Sequence, residues 1–472
     1  MTSRPHADPG QPHGHSSRRD DVEPLMTVDR NLIDVPEATV VLLSRPLEWR
    51  TRVVEEIVVD SATSCLRRRS LQVAPLRSLL GGFVDGGDTH ALVAINVAPV
   101  PRGPLVDFDI EGPLGEAWLL PRVEIGRRQA LYIATLSQAC GHEVSDGLLE
   151  LITAILGFTG EWFAEGRVAD LEEYLDVGLD NRPSRESVAQ WRAIGDACRE
   201  ILRPRLDAFD RYSAPENPAI VLPELFANGV VSTEAGATAV LGEYRAMLEH
   251  AEERADDETP DEAVDLLVSL ADYGNDFDLI VGMRVPLDEP FLIKYSERRD
   301  LRLSLLRGSG SQKLVIADAQ TNHFTFKVTD PNVRISHFAA RQVASNAYAY
   351  GAFQSREDGQ SRAVYAHDPD RDYRIRLTFR LAFLRRLQVI PYLAFVLLAL
   401  LTLALIHEAP TQLKDLALIV GPSALAASVL LAREPSTLGS RLRFVSSGLL
   451  FLALLSQLGV AVGLYLGLLP RA

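Results

Sequence analysis

Cysteine is nearly missing from this chain: Cys65, Cys140 and Cys198 are far apart and form no Cys-x-x-Cys pair. That spacing excludes a disulfide framework or a cysteine-based zinc cluster, and the expected state is three reduced, buried thiols. Lysine is almost as scarce. Lys294, Lys313, Lys327 and Lys414 stand among 48 basic residues, a bias that GC-rich coding explains better than a binding role. Basic charge is also outweighed overall, with a formal net charge of −15. An acidic surface repels nucleic-acid phosphates, so no DNA or RNA partner is expected.

Catalytic signatures are missing too. The sequence contains no Walker phosphate loop, Gly-x-Ser-x-Gly elbow or His-Glu-x-x-His pair, so no catalytic residue, cofactor or metal site is assigned. Asp107, Asp109, Glu111 and Gly112 imitate the start of a calcium loop. Its twelfth position, however, is Trp118 where a bidentate Glu is required, so the run reads as a strand with one wet face. His6, His13 and His15 fall in a polar tail, and His323 and His337 in strand-like stretches where a structural role is the default. Met1–Arg30 has no apolar run able to act as a signal-peptide core and is expected to be disordered.

What the chain does have is a hydrophobic C-terminal region. Leu387–Ile406 and Phe444–Leu469 carry no charge, and the first would span ~30 Å, the thickness of a bilayer's hydrocarbon core. Leu416–Ala432 is shorter and interrupted by Gly421 and Pro422. Three transmembrane helices within 387–469 are expected. Arginines concentrate before the first (Arg374, Arg376, Arg380, Arg385, Arg386) and between the second and third (Arg433, Arg441, Arg443). The positive-inside rule then predicts a multi-pass protein of the inner (plasma) membrane, with the N-terminal region cytoplasmic and the C-terminus outside. Membrane lipid is the expected partner of the juxtamembrane arginines.

Within the spans, Gly459, Gly463 and Gly467 recur every four residues and give one helix face without side chains, with Ala424 and Ser428 as a matching pair in the second span. Such faces let helices approach closely, either within the chain or in a homo-oligomer formed through the third span. Gln457 is polar, but no ionisable residue lies in any span, which disfavours ion-coupled transport.

Before the membrane region, hydrophobic period and turn residues predict a multidomain α+β chain, with two β-rich domains flanking a helical region. The expected divisions are a tail over 1–30, a β-rich cytoplasmic domain over 36–124, a helical region over 125–275 and a sandwich-like juxtamembrane domain over 277–382. In Tyr373–Leu381, Ile375, Leu377, Phe379 and Leu381 alternate with arginines, and the strand leads almost directly into the first span.

Pro104–Gly115, Phe291–Asp300, Asn322–Pro331 and Leu430–Arg443 resemble stretches of a group of multi-pass membrane proteins of high-GC bacteria to which no activity is assigned. The resemblance implies this architecture and carries over no catalytic residue. The expectation for function is a membrane-anchored cytoplasmic sensor or scaffold that binds a protein or ligand. An oligomeric membrane effector or pore component gated by its cytoplasmic domains is one alternative, and a membrane-bound enzyme of unrecognised type is another.

Overall fold

The computed structural model describes residues 29–101, 105–157, 183–207, 233–255, 261–301, 303–304, 309–317, 319–342, 353–367, 373–407, 414, 420–421, 437–466 and 468. The chain begins with β1 (Asp29–Asn31), α1 (Pro36–Ser44), α2 (Pro46–Trp49), β2 (Arg50–Val59), β3 (Ser64–Val73), α3 (Arg77–Leu80), β4 (His90–Pro101), β5 (Val106–Glu111) and β6 (Ala117–Leu119). Helices α4 (Arg122–Ala139), α5 (Asp146–Gly157), α6 (Arg185–Asp207), α7 (Glu234–Ala255) and α8 (Asp261–Asn275) follow. Strands return with β7 (Asp276–Pro286), β8 (Phe291–Asp300), β9 (Ser309–Ala317), β10 (Thr321–Val328), β11 (Val333–Gln342), β12 (Phe353–Asp358), β13 (Ser361–His367) and β14 (Tyr373–Phe383). Two apolar helices, α9 (Arg385–His407) and α10 (Thr437–Tyr465), come last.

Among the described residues the architecture is mixed α+β with three sheets, and the two β-rich stretches share sheets. A seven-stranded sheet runs β12-β13-β10-β2-β3-β8-β5, a four-stranded one β1-β4-β7-β6, and a three-stranded one β11-β14-β9. Strands from before and after the helices alternate in the first two sheets. β7 lies between β4 and β6, β8 lies between β3 and β5, and β10 pairs in parallel with β2. The expected sandwich over 277–382 therefore does not close on itself. The physical reason can be read in β7: Leu279, Ile280, Val281 and Met283 are all buried, so the strand has both faces covered and takes neighbours on both edges.

Three cores hold these layers together. Val53, Leu71, Val73 and Ile293 of the long sheet meet Val93, Ile95, Val281 and Met283 of the four-stranded sheet. Farther along the same face, Ile57, Val59, Phe324 and Phe326 meet Val333, Ile335, Phe379 and Leu381 of the three-stranded sheet. The strand period of two keeps Val53 and Ile57, or Leu71 and Cys65, on that one face. On its far side the four-stranded sheet packs Ala94 and Ile280 against Ile125 of α4. The helices α4 to α8 bury Leu151, Trp191, Tyr244 and Leu267 among themselves. Each such side chain contributes roughly 1.5–3 kcal/mol on leaving water. Helices α4 and α5 touch at a glycine, since a Cβ on Gly126 would lie 2.5 Å from the Gly157 nitrogen.

Among the described residues, one helix is long and apolar enough to cross a membrane, Thr437–Tyr465; Tyr392–His407 is a shorter apolar helix. Of the expected three spans, the described residues show this one helix of sufficient length. The middle one, Leu416–Ala432 with Ala424 and Ser428, lies almost wholly outside the described residues, as does Gly467. Exposed Phe444, Phe451 and Leu452 on α10, and Leu466 just after it, are compatible with membrane association.

The base of α10 belongs to the β body. Leu438 is fully buried in the core with Phe379 and Phe383, Arg443 stacks on the Phe383 ring at 4.9 Å, and Thr437 Oγ1 accepts the Ala62 N–H at 3.2 Å. One residue, Leu384, separates β14 from α9, and its N–H is bonded to the Asn332 carbonyl at 3.0 Å. Both helices start at this end of β14 and pack on each other, so they leave the sheet side by side in the same direction. Leu398 and Leu405 on α9 are buried, as are Leu450, Gln457, Ala461 and Leu464 on α10.

Candidate functional site

Two buried charged clusters stand out, one at each boundary between layers. The first lies on the long sheet, between the areas covered by the two smaller sheets. Here β2, β3 and β8 present Glu55, Arg67, Arg69, Glu297 and Arg299 on the face that is otherwise apolar. Arg67, 1% exposed, grips Glu55 with both arms: Nε donates to Oε1 at 2.7 Å and Nη2 to Oε2 at 2.9 Å. Its Nη1 donates to Glu297 Oε1 at 3.1 Å, and Arg299 Nε donates to the same oxygen at 2.6 Å. Arg69 Nη1 reaches Glu55 Oε2 at 3.5 Å, and the Pro99 carbonyl of β4 receives Arg67 and Arg299 at 3.5 and 3.4 Å.

This ionic seam is built to hold. Burial opposes the Arg67 charge, but Glu55, Tyr295 and Glu297 outweigh it and raise the pKa well above the ordinary arginine value. Tyr295, whose ring lies 5.7 Å below that guanidinium, is pushed up to about 12 by burial, against the pull of Arg67 and Arg69. Burial likewise pushes the Cys65 thiol up to about 11, so at neutral pH it is a thiol and not a nucleophile. Bidentate, mutually bonded charges of this kind fix geometry; none of them is poised to move a proton.

The second cluster lies where the helical layer meets the four-stranded sheet. α8 passes into β7 without a linker, and Asp272 and Asp278 sit on either side of that junction, 8% and 6% exposed. Gln129 of α4 donates Nε2 to Asp278 Oδ2 at 3.3 Å, and the Asn96 amide and Tyr273 hydroxyl also bond this carboxylate. Arg50 contributes the nearby positive charge, with Nη2 bonded to the Asn96 carbonyl at 2.7 Å and its guanidinium 4.6 Å over Trp49. Burial and then Asp272 push Asp278 up to about 6, against the opposing effects of Gln129, Arg50 and Asn96. Tyr273 is raised well above 10 by burial and by Asp278. Gln129 Oε1 and Asn96 Oδ1 are buried without a hydrogen-bond partner.

Sequence-predicted positions fall elsewhere. Gly459 is exposed on α10 with nothing within 4 Å of a Cβ placed there, whereas Gly463 is buried, so the two glycines do not share one packed face. Ala461, with Leu450, Gln457 and Leu464, supplies the buried stripe instead. Arg374, Arg376 and Arg380 lie along β14, with Arg376 paired to Arg341 and Lys313 and Arg380 to His337 and Ser309. Arg380 is exposed; Arg385 and Arg386 open α9. His323 packs edge-on against Tyr365 at 4.5 Å, and burial lowers its pKa. Asp107 adopts a left-handed φ of 49° and binds Arg298 at 3.0 Å, as the wet-faced strand allows.

Neither buried cluster was foreseen, although one signal existed. Arg67, Arg68 and Arg69 are consecutive in a strand, so at least one must point inward. Among the described residues no group of three or more His, Cys, Asp or Glu side chains could hold a metal ion. No family model, curated protein or solved structure matches the chain.

Proposed function

We propose that this protein is a membrane-anchored sensor or scaffold. Its β body and helical layer lie on the cytoplasmic side of the inner (plasma) membrane, bind a protein or ligand, and are coupled to the membrane helices. The observation that carries this reading is the base of α10, where Leu438 is a core residue of the β body and not the end of a flexible tether. With Leu384 as the whole connection between β14 and α9, a displacement of the three-stranded sheet is transmitted to both helices.

A three-crossing arrangement is part of the proposal. α9 has 23 residues and is about 34 Å long, and its far end must be reconnected to α10, which starts back at the sheet. A return crossing at Leu416–Ala432 would make that connection. The arginines before α9 and within the base of α10 would then share the cytoplasmic side, and Gly459, open on the outer face of α10, would be available to a second copy.

Cysteine labelling tests the arrangement with little background, because Cys65, Cys140 and Cys198 are all buried. In intact cells a membrane-impermeant maleimide should label Thr411→Cys and leave Glu289→Cys, on the β body, unlabelled until the cells are opened. The reverse pattern overturns the orientation, and recovery of the full chain in the soluble fraction overturns the anchor.

A further inference from the structure

We infer that the α8–β7 junction is a proton-binding site: one proton, held on Asp278 among Asp272, Gln129 and Asn96, locks the helical layer to the four-stranded sheet, and its loss loosens that contact. Donors and acceptors are mismatched at this junction. Asp278 already takes donors from the Gln129 amide, the Asn96 amide and the Tyr273 hydroxyl. The two amide oxygens, Gln129 Oε1 and Asn96 Oδ1, are buried with no donor among the described residues, on residues 0% and 7% exposed. Buried acceptors are ordinarily satisfied, and two orphans around one carboxylate call for a donor. A proton on Asp278 turns an acceptor into that donor, and a rotation of either amide brings an orphan oxygen to it.

The charge balance points the same way. The titratable and charged groups that meet Asp278 are Asp272 and Tyr273 from α8 and Arg50 from β2, while α4 and β4 offer the neutral amides Gln129 and Asn96. Tyr132 of α4 meets Tyr273 edge-on at 6.5 Å. Arg128, the neighbour of Gln129, is committed elsewhere, to Glu124 at 2.6 Å and to Thr39 at 3.3 Å. Asp278 thus feels one carboxylate, Asp272, and one guanidinium, Arg50. Asp272 lies at the C-terminal end of α8, where the helix dipole is itself negative and the last turn carries no basic residue. A proton cancels the excess charge and needs no space, which suits side chains packed this closely; a hydrated cation would have to open the layer. The position of Asp278 near pH 6 agrees with this geometry.

The junction joins two layers, so the consequence is mechanical. With Asp278 protonated, α4 and α8 are both bonded to β7. With Asp278 ionised, Asp272 and Asp278 repel across a connection without slack, and α8 is pushed from the sheet. That this proton is the input of the sensor proposed above rests on that reading; the proton site itself does not.

Hydrogen exchange on the full chain in lipid nanodiscs, corrected for intrinsic rates, tests the site between pH 5 and pH 8. Protection in α4 and α8 should fall by ~10-fold or more as pH rises, the effect of a single coupled proton. Asp278→Asn should keep the protected state at every pH, and Asp272→Asn should move the wild-type transition to lower pH by removing the repulsion. Difference infrared spectra should show a protonated carboxyl band that Asp278→Asn deletes. Protection independent of pH in the wild type, or the same profile in wild type and Asp278→Asn, overturns the site. A label at the base of α10 gives a separate readout. If the junction titrates and that label stays still, the site stands and only its link to the membrane helices falls.

Discussion

The ionic seam and the acidic junction are both buried, charged and placed between layers, yet they are opposites in balance. In the seam three arginines enclose two glutamates, and each carboxylate is gripped by at least two guanidinium donors. At the junction burial and the neighbouring Asp272 outweigh what Arg50 and two amides offer Asp278, and two amide oxygens have no partner among the described residues. Burial penalises every charge, so the outcome depends on how completely neighbours compensate it. Where compensation is complete the cluster is a fixed joint. Where it falls short, a charge is given up near physiological pH and the joint can move. The molecule thus has a rigid connection within its β layers and an adjustable one at the helical layer.

Removing one partner from the rigid cluster is the harshest way to break the contrast. Arg67→Met leaves Glu55 and Glu297 buried without their main counter-ion and should cost roughly 3–5 kcal/mol, read as a lower denaturant midpoint. A loss below about 1 kcal/mol would mean that the seam is more hydrated than its burial indicates.

The junction should respond with the opposite sign. The folded pKa of Asp278, about 6, lies above its ordinary 3.8, so the folded chain binds this proton more tightly than the unfolded chain. Its contribution is fully present below about pH 4 and is lost as pH rises through about 6, a swing of roughly 3 kcal/mol. Asp278→Asn should therefore stabilise the protein at pH 8, by roughly 1–3 kcal/mol, and by about half as much at pH 5, because the loss accumulates between about pH 4 and 6. Paired thermal melts at the two pH values check this, and a variant less stable at pH 8 would contradict it.

Gly126→Ala sharpens the comparison by moving α4 without touching a charge. The new methyl meets the Gly157 backbone and the Thr153 carbonyl at 3.0 Å, so the helix that carries Gln129 must shift. A loss of about 1–2 kcal/mol is expected from overpacking, together with a displaced pH midpoint at the junction and none at the seam. The smallest effect belongs to the opposite face of the long sheet, where Glu56 bonds Lys327 and Arg68. Lys327→Ala should change stability by less than about 1 kcal/mol, because partly exposed ion pairs contribute little. A larger loss would show that exposure is not what separates the two faces.

Much of the strand content was readable, because Val53, Ile57 and Val59 or Phe291, Ile293 and Tyr295 follow the period of two that a half-buried strand needs. Their partners were not. Alternation shows that a segment pairs with something, while the pairing of β2 with β10 spans some 270 residues and is written in no local pattern. The clusters were hidden for a related reason: an arginine or aspartate in an alternating run is by default assigned to water, and only its neighbours on other strands reverse that. Gly459 and Gly463 illustrate a spacing that is real in sequence but split in space, since a repeat of four drifts around a helix of 3.6 residues per turn.

The way β2 finds β10 also sets a timetable. While the chain is being made, β2 can pair with β3 and β4 with β1, but the second edge of each stays open until β10, β8 and β7 emerge, and the three-stranded sheet closes only with β14. Long-range pairings of this kind are slow and leave open edges exposed while they wait. β14 ends one residue before α9 starts, so the last strand needed for folding and the first apolar helix leave the ribosome almost together. Completion of the β body and exposure of the first apolar helix thus fall within the same short interval of synthesis, and the early strands must be kept from aggregating until then.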